Sequence, residues 1–306
     1  MNLTSSRKKQ FARQLLGTIP SKIGFVDVGA GGVLKYPWDL LPADRLEKFA
    51  YEPTHQQEPV SLCISNRLGQ SKFYIAVDER CSSLHEPSRQ YIDKFHDHTV
   101  EIKEVIDVRL STLDNLLLNH YSEIDLIDIN AEGHDYQVLE GMEQLLDKGK
   151  IKLLKIEFEL TEVWKDQGWF GNIEGFLRKR GFDLARIEID YARPAKVKRI
   201  FHQGEPVWGK AYYVPSSSLW KQIVQKNGLK IFRDDVLKAV VLYTMTDLPG
   251  RAVDLLDDEQ LSAHLNADAK ELKEKIFWVF RFSRLDWCSA QSMKMARFLT
   301  KKISGK

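Results

Sequence analysis

Two stretches of the chain set acids beside small residues at spacings that suit ligand chemistry. The first, FVDVGAGGVLKYPW at Phe25–Trp38, runs from an apolar segment into Asp27 and then Gly29, Ala30, Gly31 and Gly32. Glycines there permit a sharp turn off a strand and close approach of the backbone to a bound molecule. Glu52 follows at the end of KFAYEP (48–53). A carboxylate in that position can accept hydrogen bonds from both hydroxyls of a ribose, each charge-assisted bond contributing about 1.5–3 kcal/mol. The second stretch, IDLIDINAEGHDYQVLEGM, places Asp128, Asn130, Glu132 and His134 at the end of another apolar run. KLLKIEFEL (152–160) adds Glu157 and Glu159 on one face of a strand, because side chains alternate. His134 suits proton abstraction, with an ordinary pKa near ~6.5. Asp128, Glu132 and Glu157 are further acid–base candidates, and Asn66 is placed either to meet an adenine or to close a turn.

Asp27 bears on which nucleoside such a loop would hold. A dinucleotide needs bare N–H groups and a helix N-terminus facing its pyrophosphate, and an acid there adds repulsion. S-adenosylmethionine carries no phosphate and presents an ammonium and a sulfonium, so an acid helps. The third glycine of the dinucleotide pattern is also absent, its position being Leu34. By charge the loop favours S-adenosylmethionine over NAD. A glycine-rich turn in a non-catalytic domain is the plainer alternative.

These residues need strand ends to hold them. KIGFVDV (22–28), KFAYEP, VSLCIS (60–65), IDLIDI (124–129) and KLLKIEFEL read as strands, and KFYIAV (72–77) as an added antiparallel one. HDYQVLEGMEQLLDKG between two of them has helical spacing, with Gly149 placed to stop it. LSTLDNLLLNH (110–120) reads as a helix capped by Ser111 or Thr112. FDLARIEID (182–190) and WGKAYYVP (208–215) suit a hairpin-like edge. Alternating strands and helices predict an α/β fold with a mostly parallel sheet. After Pro215 the strand signal stops. The expected division is an N-terminal helix (1–21), a sheet domain (22–215) and a helical C-terminal appendage (216–306).

The 306 residues carry 45 basic and 43 acidic side chains, which gives no reason to expect a nucleic-acid partner. Cys63, Cys81 and Cys288 form no disulfide framework and suit a reducing cytoplasm. His96 and His98 have no third ligand at a telling distance, so no metal is expected. Arg281, Arg284, Lys294, Arg297, Lys301, Lys302 and Lys306 stand against Asp286 alone in the final, aromatic-containing stretch. Packing on the domain is the bland reading of that stretch; weak peripheral contact with an anionic membrane is the sharper one.

FVDVGAGG, YEP, CISNRLGQSKFYI, CSSLHEP and STLDNLLLNHYSEIDLIDINAEGHDYQVLEGMEQLL, in this order, resemble the FkbM family of S-adenosylmethionine-dependent methyltransferases across residues 20–215. The resemblance implies a Rossmann-like class I methyltransferase sheet and O-methylation of a hydroxyl on a small-molecule or saccharide acceptor. Together with the reading from the residues, the expected cofactor-side residues are Asp27, Gly29, Ala30, Gly31, Glu52, Asn66 and Asn130. Three departures stand out: Asp128 and Asn130 replace the family's lysine–aspartate pair, Gly31–Gly32–Val33 alters the loop, and Pro37–Trp38 intrudes on the first crossover helix. A degenerate methyltransferase fold working as a binding module is the rival expectation.

Overall fold

The computed structural model describes residues 3–29, 31, 33–53, 61–120, 123–148, 150–197, 204–226, 233–262, 265 and 268–281. Ala30, Gly32, Gly149 and the basic segment from residue 282 onward lie outside the described residues.

Among the described residues nine strands are formed: β1 (Ile23–Val28), β2 (Leu46–Tyr51), β3 (Leu62–Ile64), β4 (Gly69–Ala76), β5 (Ile102–Ser111), β6 (Ile124–Ile129), β7 (Leu153–Glu159), β8 (Phe182–Ala192) and β9 (Glu205–Pro215). Six of them make the central sheet in the order β2-β1-β6-β7-β9-β8. β1, β2, β6 and β7 pair in parallel, while β9 is antiparallel to both β7 and β8. The antiparallel member therefore sits one place in from the edge. β1 and β6 are buried along their whole length, which is why they read as mostly apolar runs.

β3, β5 and β4 form a separate three-stranded sheet. The sequence reading has no strand at β5 and begins a helix at Leu110; the helix α3 instead covers Leu113–Leu117. Thr112 is its cap, accepting from the Asn115 N–H at 3.0 Å. β5 escapes a sequence reading because its first half is exposed and charged, with only Val108, Leu110 and Ser111 buried.

The other helices are α1 (Leu3–Leu16), α2 (Arg89–Phe95), α4 (Asp135–Glu140), α5 (Glu143–Lys148), α6 (Phe170–Lys179), α7 (Ser217–Lys226), α8 (Arg233–Met245), α9 (Pro249–Asp257), α10 (Glu259–Ser262) and α11 (Asp268–Phe280). The expected single helix after β6 is two, α4 and α5, broken at Gly141. A Cβ at Gly141 would stand 2.1 Å from the Ser65 carbonyl, so the end of β3 presses directly on the break. Asp114 then caps the second piece, accepting from the backbone N–H groups of Gln144 and Leu145.

One sheet face packs against α3, α4, α5 and α6 through Leu113, Val138, Leu139, Met142, Leu145 and Ile173. Among the described residues the opposite face has no crossover helix where one is expected, because the β1–β2 connection holds two short 3₁₀ turns, Trp38–Leu40 and Ala43–Arg45. α1 and α8 cover Phe25, Leu126 and Leu153 on that side. Asp235 through Met245 are buried without interruption. A helix buried on every side belongs in an interior, and the described parts of α7 to α11 share one apolar core with α1 and the sheet. Four buried charges bind α8 there: Asp125 meets Lys152 at 2.6 Å and Lys238 at 2.8 Å, and Lys152 meets Asp235 at 3.0 Å.

Candidate active site

A cleft of about 390 Å³ opens at the carboxyl ends of β1, β2, β3 and β6. Strand order reverses between β2 and β6 across β1, the place where open α/β sheets bind ligands. Val28, Gly29 and Gly31 form its floor, Tyr51, Glu52 and Pro53 one wall, and Asn130, Ala131, Glu132 and His134 another. Leu62, Ile64 and Phe73 supply an apolar side, and the loop Asp78–Ser82 closes the rim. The lining holds the carboxylates of Glu52, Asp78, Glu79 and Glu132 against two cations, Lys35 and Arg80. Such a lining favours a cationic ligand.

Gly29 adopts φ +78°, and a Cβ there would stand 1.9 Å from the Asn130 carbonyl oxygen. The two strand ends are locked together by Gly29 N–H to the Tyr51 carbonyl and Asn130 N–H to the Val28 carbonyl, both 2.9 Å. Gly31 N–H donates to Glu52 Oε2 at 3.0 Å, so the second strand's acid faces the glycine turn. Asn130 Oδ1 is buried and has no hydrogen-bond partner among the described residues, an open acceptor on a residue that lines the cleft.

Four sequence expectations are corrected. Asp27 does not line the cleft. Val28 does, and period-two alternation sends Asp27 to the opposite face with Phe25, where it pairs with Lys48 at 2.8 Å. Burial pushes the Asp27 carboxyl up, with the Lys48 contact opposing that shift. Asp128 shares that face and is held by Lys155 at 2.7 Å and by Trp38 Nε1 at 2.6 Å, which leaves no role as a cleft base. Asn66 Nδ2 donates to Glu140 Oε2 at 2.9 Å and ties the β3–β4 turn to α4, away from the cleft. Glu157 is half-buried on β7 outside the lining. Burial and then repulsion from Asp135 push it to about 8, despite Lys210 and Lys155. Its neighbour Glu159 is not solvated either: it is buried, its Oε2 has no partner among the described residues, and burial raises its pKa well above the usual range.

His134 reaches the cleft but is a poor base. Burial, then the nearby His85 and Arg67, pull it down to about 3, and both ring nitrogens are engaged. Glu132 also lines the cleft. Burial, reinforced by Glu157 and Asp135, raises its carboxyl far above the usual range, while Lys35 opposes. Its backbone stands at φ +51°, uncommon for a residue with a side chain. Asp135 accepts from Ala131 N–H at 3.0 Å and Gly133 N–H at 3.2 Å beneath that turn, and burial brings it to about 7. Lys35, Asp78 and Arg80 were missed in the sequence; lying in loops, they give no periodic signal. Among the described residues no group of three or more His, Cys, Asp or Glu is placed to hold a metal. His96 closes α2 at φ +52° instead of lying extended beside His98.

The mostly parallel sheet, the single antiparallel strand next to its edge and the cleft beyond β1 and β6 define a Rossmann-like methyltransferase fold. Residues 32–184, half of the chain, match the methyltransferase FkbM domain family, and the chain belongs to that family. S-adenosylmethionine is accordingly its cofactor. The methyltransferase sdnD of Sordaria araneosa is 28% identical over 96 residues, covering 28% of this chain and 35% of that protein. The chain thus spans about a third of the length of the curated relative it matches. A crystal structure of magnesium protoporphyrin IX methyltransferase from Synechocystis PCC 6803 with bound SAM is 12% identical. It covers 71% of this chain and 85% of its own, at a TM-score of 0.32 that bears on neither site nor substrate.

Proposed function

We propose that the chain is an O-methyltransferase acting on a hydroxyl of a small-molecule or glycan acceptor. The observation that carries this reading is the convergence of Glu52 and Glu132, from two different strand ends, on one cleft beside the glycine turn. When bound, S-adenosylmethionine supplies a methyl group made electrophilic by its sulfonium. Glu52, Gly29, Gly31 and Asn130 are assigned to holding the cofactor, with Ala30 in the same turn by sequence. Glu52 suits ribose hydroxyls, and the open Oδ1 of Asn130 suits a cationic or amide donor.

The remaining task is to orient a hydroxyl and remove its proton. Orientation alone can contribute about 7–11 kcal/mol in favourable cases. A general base adds roughly 10²–10⁴-fold when its pKa lies near the working pH. Burial holds Glu132 well above the ordinary carboxylate range, the direction such a base needs, whereas His134 is pulled down to about 3. Asp78, Arg80 and Ser82 give the rim a polar edge fitted to a hydroxylated acceptor. The test is transfer of a labelled methyl group from S-adenosylmethionine to a panel of free sugars and hydroxylated small molecules. Glu132→Gln is expected to lose transfer by at least about 10²-fold while still binding S-adenosylhomocysteine. Failure of the wild type to bind donor at millimolar concentration would instead favour a binding module. The cations from Arg281 to Lys306 support a weak peripheral contact with anionic membranes; equal sedimentation with neutral and anionic vesicles would end that part of the reading.

A further inference from the structure

The residues beneath Glu132 form a connected set that the methyl-transfer reading leaves unused. Ser83 Oγ donates to the Glu132 carbonyl at 2.6 Å and accepts from the His85 N–H at 3.0 Å. The rings of His85 and His134 lie with centroids 5.0 Å apart, His134 Nδ1 being 2.9 Å from His85 Nε2. His134 Nε2 lies 2.9 Å from Ser65 Oγ. Each outer member is itself anchored: Ser83 exchanges backbone bonds with Tyr74 on β4, and Ser65 N–H bonds the Ser111 carbonyl on β5.

The direction of the chain follows from its far end. His85 hydrogen-bonds the Lys165 backbone in a way that favours the protonated ring, so its partner there is a carbonyl and the ring nitrogen donates. A neutral His85 must then accept at Nε2, so His134 donates from Nδ1. His134, also neutral, is left with Nε2 as an acceptor, and the Ser65 hydroxyl donates to it. The competing Ser65 contact, to Asn66 Oδ1, is longer at 3.4 Å. Arg67 near His134 and Asp166 near His85 are the charged side chains that act on the pair. Burial lowers both imidazoles, in keeping with neutral rings.

We propose that the Ser65→His134→His85 chain and the Ser83 hydroxyl are a positioning device that holds Glu132 in its left-handed turn with its carboxyl in the cleft. Glu132 and Gly133 occupy successive positive-φ positions, at +51° and +86°. Trp164 closes off the back of Gly133, since a Cβ there would stand 2.4 Å from Trp164 Cδ1. A non-glycine residue keeps such a conformation only where its surroundings over-determine it. Ser83 fixes the Glu132 carbonyl, and the histidine pair fixes the next side chain but one. The device links the end of β3, the loop after β4 and the β6–α4 turn, so its function depends on the assignment of Glu132 to the acceptor side.

Nitrogen-15 spectra of the imidazoles test the chain itself in the wild-type protein, without donor or acceptor. Both rings are expected as neutral Nδ1–H tautomers at about pH 6. A neutral Nε2–H tautomer at either ring, or a cationic His134, would overturn it. Carbon-13 titration of the Glu132 carboxyl, identified by its loss in Glu132→Gln, tests what the chain positions. Ser83→Ala is expected to move that titration down by about one pH unit or more, as the turn relaxes toward solvent. Ser83→Thr, which keeps the hydroxyl, is expected to restore it. An unchanged Glu132 titration in Ser83→Ala removes the positioning role even if the tautomers are as stated. Absence of S-adenosylmethionine binding would sink the methyl-transfer reading while leaving these spectra unaffected.

Discussion

Asp125→Asn tests whether the helices after residue 216 belong to the catalytic domain. Asp125 is 1% exposed and accepts from Lys152, Lys238 and the Gly24 N–H at 2.6, 2.8 and 3.0 Å. With Asp235, the four side chains balance two negative against two positive charges. Asparagine can keep the Gly24 bond through its carbonyl oxygen, but it leaves one buried ammonium without a counter-charge. Breaking a buried pair in this way costs about 3–5 kcal/mol. At roughly 2–4 °C per kcal/mol for a domain of this size class, the melting temperature should fall by about 6–20 °C. The assay is thermal and urea unfolding followed by circular dichroism, with the S-adenosylhomocysteine complex as a second probe. Lys238 lies on α8 and Asp125 on β6, so the loss should appear in one cooperative transition rather than as early melting of a separate helical unit. A change below about 2 °C, or an independent transition for the helical part, would refute the reasoning.

Three further outcomes follow from the geometry. Gly29→Ala places a methyl group 1.9 Å from the Asn130 carbonyl in a turn pinned on both sides, and should abolish cofactor binding and lower stability, checked by calorimetry and melting. His134 titrates at about 3 in the folded protein, so the unfolded chain binds its proton first as pH falls below ~6.5, and stability should decline from there toward about 3; acid titration of the urea midpoint, compared with His134→Asn, reads that slope. Glu157 has the opposite sign: its folded pKa of about 8 means that its contribution is lost as pH rises from ~4.5 through 8, and Glu157→Gln should flatten the alkaline loss of urea resistance.

Much of the sheet is legible in the sequence because burial on both faces keeps its inner strands mostly apolar: IDLIDI is β6 to the residue. β5 carries a readable period-two signal in Ile106, Val108 and Leu110, but its charged first half obscures it. α8 is legible in another way, since VLKAVVLYTM is apolar at most positions around the helix and needs a place inside the protein. The site is harder to read. Glu52 and Glu132 stand just beyond strand ends, where position alone brings them to the cleft. Asp27 and Asp128 stand inside strands, where alternation decides, and Val28 beside Asp27 already points to the outcome. The Ser65–His134–His85 chain joins residues 69 and 49 positions apart, and only the folded arrangement brings them together.

Glu52 and the glycine turn are the heart of the proposed cofactor site. Isothermal titration of the wild-type protein and of Glu52→Ala with S-adenosylhomocysteine tests it directly. The wild type should bind, and loss of one or more charge-assisted bonds should weaken the variant by about tenfold or more. Equal affinity in the two proteins, or no wild-type binding at millimolar ligand, would contradict it.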